Sequence, residues 1–189
     1  MRRRLEERLV FDAFGAADRG AVLAAYDLAM ERRLPELGDE HFDSLHPGRT
    51  LRILLQDAVE RDPIALAVAA LLDSWEPRLR PDAAEAALTA WGADPDRAGR
   101  IAHARAATPL PPDGALLEEL VVCPPPLLRA AVAEALDHMR HLHLHPRDQW
   151  RERWTLIETC YRPAATRAHP KLAARIARSC DVFRERFLR

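Results

Sequence analysis

The amino-acid sequence predicts an all-α protein of about eight helices. Three observations support this prediction. Apolar residues recur every three or four positions along most of the 189 residues, which is the spacing of one face of a helix. Proline, aspartate and glycine stand where helices begin or end. Strand signals are weak, since Val121 and Val122 form the only β-branched pair followed by turn residues.

Three helices are predicted in the first part of the chain. The segment AVLAAYDLAMERRL carries an apolar stripe and ends before DEHFDSLHPG, a break rich in Asp, Ser, Pro and Gly. The second helix is RTLRILLQDAVERD. Pro63 opens the third, PIALAVAALLDSW, which is apolar nearly all round and is therefore expected at the centre of the fold. The residues expected to face inward are Val22, Leu23, Tyr26, Met30 and Leu34 in the first helix and Leu51, Leu54, Leu55, Ala58 and Val59 in the second.

The remaining helices follow the same pattern. Pro81 and Asp82 begin the helix RPDAAEAALTAWG, and Gly92 ends it. DPDRAGRIAHARAA and ALLEELVV are shorter helical segments on either side of the loop TPLPPDG. The prolines after Cys123 interrupt the chain, and Pro146 stops the long helix PLLRAAVAEALDHMRHLHL. PRDQWRERWTLIETCY and HPKLAARIARSCDVFRERFL complete the set.

Composition argues against several classes of partner. The chain has 28 basic and 29 acidic residues, so its formal net charge is -1. No bulk electrostatic attraction to nucleic acid is therefore expected. No apolar run approaches the ~18 residues that cross a bilayer, so no membrane partner is expected. Three cysteines without a CxxC pattern argue against a disulfide framework and favour the cytoplasm.

The stretch EALDHMRHLHLHP holds four histidines in eight residues, at 138, 141, 143 and 145. On a helix, His138, His141 and His145 share a face and could hold Zn²⁺, which prefers nitrogen and sulfur ligands. The pattern HExxH is absent, and histidines also suit the negative end of a helix dipole. A zinc site at His138–His145 is therefore one interpretation, and a polar helix end is the other.

A succession of segments carries a further signal. An amphipathic helix is followed by His46-Pro47 opening the next helix, then by the apolar helix ending in AALLDSW, then by AWG and VAEALDHMR. This order resembles the HD-type metal-dependent phosphohydrolases, in particular the RelA/SpoT-type alarmone hydrolase domain. That family shows HP, AALLHDxxED, FG and LADxLxNLR in this order, and the resemblance covers about residues 20 to 187. It implies an HD-like domain over residues 1–189, with a core at about 16–145 and C-terminal helices at about 146–189 packed on it.

The resemblance also implies a metal site. In the family, a histidine, a His-Asp pair and a later aspartate hold a divalent ion, usually Mn²⁺, which activates water for attack on the 3'-pyrophosphate of guanosine tetra- or pentaphosphate. His46 matches the first ligand, and Glu134 takes the place of the last. Asp73 and Ser74 stand where the His-Asp pair is expected. The resulting candidate ligands are His46, Asp73 and Glu134.

Three further residues take roles from the resemblance. Glu76 lies near the acidic catalytic pair of the family, although Pro77 disturbs the register, and it is the candidate proton shuttle. His138 takes the position of an asparagine associated with nucleotide binding, and Arg140 matches the arginine. A phosphorylated nucleotide is the ligand that these positions imply.

Two interpretations of the altered motif stay open. In the first, the remaining imidazoles and carboxylates, with or without His138, form a rearranged site that still holds Mn²⁺ or Zn²⁺ and catalyses phosphohydrolysis. In the second, no metal binds, because Asp73-Ser74 loses a nitrogen ligand and neutral serine is a poor one, and the helical scaffold is a non-catalytic module for a protein partner or for regulation.

Overall fold

The computed structural model describes residues 1–37, 42–72, 89 and 115–189. Within these ranges every regular element is helical, which confirms the predicted all-α fold. The α-helices are α1 (Arg2–Phe11), α2 (Ala16–Leu37), α3 (His46–Ile53), α4 (Pro63–Leu71), α5 (Ala115–Val121), α6 (Pro125–His141), α7 (Trp150–Leu156), α8 (Arg162–Ala168) and α9 (Pro170–Phe187). Apart from Thr89, the helices predicted at RPDAAEAALTAWG and DPDRAGRIAHARAA lie outside the described residues.

Short turns of other helical types connect several of these elements. Turns of 3-10 helix lie at Phe42–Leu45, Leu142–Leu144 and Arg147–Gln149. Two π turns, at Leu54–Ala58 and Ile157–Tyr161, extend α3 and α7. In the part of the chain that the structure describes, no helix combines the length and the apolar character that crossing a bilayer requires.

Helix α4 lies at the centre of the fold, as its apolar sequence predicts. Asp62 caps its first turn, because the Asp62 carboxylate accepts a hydrogen bond from the backbone N–H of Ile64 at 2.9 Å. Every residue from Ala65 to Leu71 is buried. Helices α2, α3 and α6 pack against it, so α4 forms the support on which α3 and α6 meet.

The second predicted helix is shorter than the sequence pattern indicated. The α-helix ends at Ile53, the π turn follows over Leu54–Ala58, and Val59 adopts a left-handed conformation with φ 53° and ψ 41°. The side chain of Val59 is 48% exposed, so the prediction that Val59 faces the core was wrong. A β-branched residue in this conformation is strained, and its neighbours must hold it there.

Glu60 provides the contacts that stabilise the turn at Val59. The Glu60 N–H donates to the carbonyl of Leu54 at 3.0 Å. The Glu60 carboxylate accepts hydrogen bonds from the backbone N–H groups of Arg61 and Asp62, each at 2.9 Å. It also forms an ion pair with Arg129 of α6, which is 69 residues away in sequence. The chain therefore turns at Val59 because a distant partner fixes Glu60.

Among the C-terminal helices, α8 and α9 pack on α6, and aromatic side chains connect α7 with α9. Helix α9 contacts both α6 and α8. The indole N–H of Trp154 donates to the carbonyl of Cys180 at 3.0 Å. The ring of Trp150 meets those of Phe183 and Phe187 edge to face, with centroids 5.6 and 5.3 Å apart. These tryptophans join α7 to α9.

The buried thiol of Cys180 gives a prediction about pH. Burial raises the pKa of Cys180 from 9.0 to about 12, and the charge of Glu158 acts in the same direction. Between these values the unfolded chain loses the proton and the folded chain keeps it, so stability falls as pH rises. We expect the free energy of unfolding to fall as pH rises from about 9 towards about 12, and to fall less steeply in Cys180→Ala. Chemical denaturation at a series of pH values measures both slopes, and equal slopes contradict the expectation. Burial also raises the pKa of Tyr26, but its effect on stability is the same in the wild type and in Cys180→Ala.

Candidate metal centre

Helices α3 and α6 bring three potential metal ligands together. Helix α3 begins at His46 and packs against α6. Helix α6 carries Glu134 and His138, which are four residues apart and therefore share a face. One ligand atom from each of these three residues lies within 4.8 Å of the other two. Among the histidine, cysteine, aspartate and glutamate side chains in the described ranges, no other group of three meets this criterion.

The imidazoles of His46 and His138 both face one carboxylate oxygen of Glu134. Glu134 Oε1 lies 3.0 Å from His138 Nε2 and 3.6 Å from His46 Nε2. The two imidazole rings stack with centroids 4.3 Å apart and planes inclined by 29°. The side chains of His46 and Glu134 are each 1% exposed, and that of His138 is 14% exposed. Both Nε2 atoms therefore meet the same buried carboxylate.

The donor set and its spacing fit a divalent cation. Ligand atoms about 2.1 Å from a tetrahedral ion lie roughly 3.4 Å from one another. The separations of 3.0 and 3.6 Å bracket that value. Two imidazoles and one carboxylate are also the protein ligands of a class of catalytic zinc sites, and imidazole with carboxylate suits Mn²⁺ and Fe²⁺ as well.

Asp137 lies behind His46 and completes the polar cluster. Asp137 Oδ2 is 2.7 Å from His46 Nδ1, and Arg49 Nε donates to both carboxylate oxygens, at 3.0 and 2.9 Å. His141 Nδ1 is 3.3 Å from the other carboxylate oxygen, Oδ1. Burial acts to raise the pKa of Asp137, but hydrogen bonds from His141, His46 and Arg49 outweigh it and hold that pKa well below its usual range. Asp137 is therefore an ionised carboxylate inside the protein.

The structure brings some of the sequence-predicted site residues together. His46 and Glu134, both predicted as metal ligands, lie in one cluster. His138, predicted to bind a nucleotide, lies in the same cluster beside Glu134. Asp73 and Glu76 lie outside the described residues, so their predicted roles as ligand and proton shuttle stay predictions.

Asp137 is the site residue that the sequence analysis missed. It follows Glu134 by three residues, so its position on the same face of α6 was a usable signal. Nothing local indicated its partner, because His46 is 91 residues away. The contact depends on how α3 and α6 pack.

Arg140 has a different set of contacts. It follows Glu134 by six residues, so the two side chains leave α6 in directions about 120° apart around the helix axis. Arg140 Nη2 lies 3.4 Å from Asp57 Oδ2, and Arg175 of α9 lies 2.9 Å from the other oxygen of Asp57. Arg140 thus helps α9 dock, and its role in nucleotide binding stays a prediction.

The four histidines of EALDHMRHLHLHP do not form a common ligand group among the described residues. Helix α6 ends at His141, as the expected stop before Pro146 requires. The ring of His143 stacks near Phe187, with centroids 6.2 Å apart, and that of His145 meets Phe42 edge to face at 5.2 Å. Of the four, His138 is the member that joins a three-ligand group.

Comparisons with protein-family models, with curated proteins and with solved structures found no match to this chain. The resemblance to alarmone hydrolases therefore stays a prediction.

Proposed function

We propose that this chain is an HD-like phosphohydrolase with an altered metal site, in which His46, Glu134 and His138 hold one divalent cation. Its substrates are phosphate esters of nucleotides, as the resemblance to guanosine polyphosphate hydrolases implies. The observation that supports this proposal is the approach of two imidazole nitrogens to one buried carboxylate oxygen. A buried carboxylate in such a position is costly unless a positive charge compensates it.

His138 gives the proposal its particular form. The segment AALLDS lacks the His-Asp pair of the family, which removes a nitrogen ligand. His138 offers an imidazole at the same Glu134 oxygen that faces His46. In this proposal His138 replaces the missing nitrogen ligand, and the site keeps three protein ligands without the pair.

The roles of the protein groups follow from their burial and charge. When bound, the cation lowers the pKa of a water molecule and offsets negative charge on a phosphate ester. Glu134 supplies the negative charge that attracts the cation, and His46 fixes it to α3. His138 is the most exposed of the three ligands, so the substrate approaches from the side of His138.

Isothermal titration of metal-stripped protein with Zn²⁺ and Mn²⁺, followed by an assay with guanosine tetraphosphate, tests the proposal. We expect one ion per chain and release of pyrophosphate that a chelator stops. His138→Ala should weaken metal binding by more than about tenfold, since it removes one of three ligands. His143→Ala is the matched control from the same histidine-rich stretch, because its exposed ring lies outside the ligand group, and it should bind as the wild type does.

Three outcomes count against the proposal. If the wild type binds neither ion, the metal site is refuted. If His138→Ala binds as the wild type does, the assignment of His138 is refuted. If metal binds in full stoichiometry and no phosphate ester is cleaved, the hydrolase is refuted and the non-catalytic module is favoured.

A further inference from the structure

A 2.7 Å contact joins Asp137 Oδ2 to His46 Nδ1 in the candidate metal centre. It occupies the ring nitrogen that faces away from Glu134. The other nitrogen, Nε2, points to Glu134 Oε1 at 3.6 Å and to the hydroxyl of Thr50 at 3.5 Å. The two nitrogens of His46 therefore have separate partners, one carboxylate behind the ring and one in front of it.

The hydrogen in the rear contact belongs to His46. An ionised carboxylate can only accept hydrogen bonds. Asp137 is ionised in this environment, because the guanidinium of Arg49 donates to both of its oxygens. It follows that Nδ1 of His46 carries the proton and donates it to Asp137.

We propose that Asp137 is a positioning residue, which keeps a proton on His46 Nδ1 and so leaves Nε2 as the nitrogen that binds the cation. This inference rests on the proposed metal site. Histidine ligands in metalloproteins generally donate their second N–H to a carboxylate or carbonyl, which fixes the tautomer and the ring orientation. One face of helix α6 then has two roles. Glu134 is itself a ligand, and Asp137 orients His46, the ligand that α3 supplies.

Asp137 is distinguished from a fourth metal ligand by its own contacts. Its two oxygens are already engaged by the Arg49 guanidinium, by His46 and by His141. Asp137 is also absent from the group of ligand atoms that converge within 4.8 Å. Its carboxylate therefore acts on the cation through His46.

A purely structural role for Asp137 makes a different prediction. If its function were to pair with Arg49 and join α3 to α6, its loss would lower stability and leave the proton of His46 and the affinity for zinc unchanged. If Asp137 orients His46, both of these properties change. The location of the proton is thus the readout that separates the two roles.

Asp137→Asn tests the inference, because the amide has the shape of the carboxylate and can donate to Nδ1. We expect the proton of His46 to move to Nε2, which blocks the ligand nitrogen. Zinc affinity should fall by about 10–100-fold in isothermal titration. Long-range ¹H–¹⁵N correlation spectra, with the His46 signals assigned by comparison with His46→Ala, should show a protonated Nδ1 in the metal-free and zinc-loaded wild type.

Asp57→Asn is the matched control, since Asp57 is also a buried carboxylate paired with arginines, Arg140 and Arg175. Its zinc affinity should stay within about threefold of the wild type, because Asp57 has no contact with His46. Wild-type affinity in Asp137→Asn overturns the inference and leaves the metal site standing, whereas absence of zinc binding in the wild type refutes the proposed function itself. If Asp137→Asn fails to fold, the wild-type spectra alone test the inference. An unprotonated His46 Nδ1 in those spectra overturns it.

Discussion

Replacing Glu134 with glutamine should remove the stabilisation that zinc gives to the folded protein. A ligand that binds only the folded state at 100 times its dissociation constant raises the free energy of unfolding by about 2.7 kcal/mol. The wild type should show this increase, and Glu134→Gln should show almost none at the same zinc concentration. Denaturant titrations with and without zinc measure the difference.

The physical reason is the charge of Glu134. Its carboxylate is 1% exposed and faces Nε2 of both His46 and His138. Glutamine keeps the length of the side chain, but its neutral carbonyl is a far weaker ligand for a divalent cation. Glu118→Gln on α5 is a matched control, because Glu118 is exposed and lies outside the ligand group. Equal stabilisation of Glu134→Gln and the wild type by zinc would contradict the assignment of Glu134 as a ligand.

Leu66→Ala should lower the free energy of unfolding by about 2–5 kcal/mol. Leu66 is 0% exposed, and it lies in α4, against which α2, α3 and α6 pack. Removing its side chain leaves a cavity that the three surrounding helices cannot fill without moving. The measurement is the midpoint and slope of urea unfolding, compared between variant and wild type.

Ile64→Ala provides the comparison within the same helix. Ile64 lies in the first turn of α4, where its side chain is partly buried against the core. Its truncation should lower the free energy of unfolding by about 1 kcal/mol, because Ile64→Ala removes less buried apolar area than Leu66→Ala does. If the two variants lost the same stability, α4 would not be the central helix of the fold.

Local sequence signals predicted the helices that have strong punctuation and a clear apolar face. Pro63 marked the start of α4, and His169-Pro170 marked that of α9, where the His169 ring accepts a hydrogen bond from the backbone N–H of Lys171. Helix α1 was not predicted, because Leu5 and Leu9 are its only buried residues and charged side chains surround them. Two apolar positions are too few to establish a period.

The break after α3 could not be predicted from the local pattern. The segment RTLRILLQDAVERD has helical periodicity throughout, and Val59 fits its apolar stripe. The chain nevertheless turns at Val59, because Glu60 pairs with Arg129 in α6 and binds the backbone after the turn. A contact across 69 residues overrides the helical preference of the segment.

The candidate site shows the same division between local and distant information. The resemblance to alarmone hydrolases pointed to His46 and Glu134, which do lie together. It assigned His138 to a nucleotide, because that position holds asparagine in the family. The stacking of His138 on His46 at 4.3 Å depends on the packing of α3 against α6, and one sequence carries no direct sign of it.

X-ray absorption spectroscopy of the zinc-loaded wild type tests whether His46, Glu134 and His138 bind the metal, because it reports the atoms bound to the ion. We expect two imidazole ligands, and every atom bound to zinc should be nitrogen or oxygen at about 2.0–2.2 Å. In His138→Ala the same spectrum should show one imidazole or no bound zinc. Sulfur scattering at about 2.3 Å, or a wild-type spectrum with fewer than two imidazoles, would contradict a metal site formed by His46, Glu134 and His138.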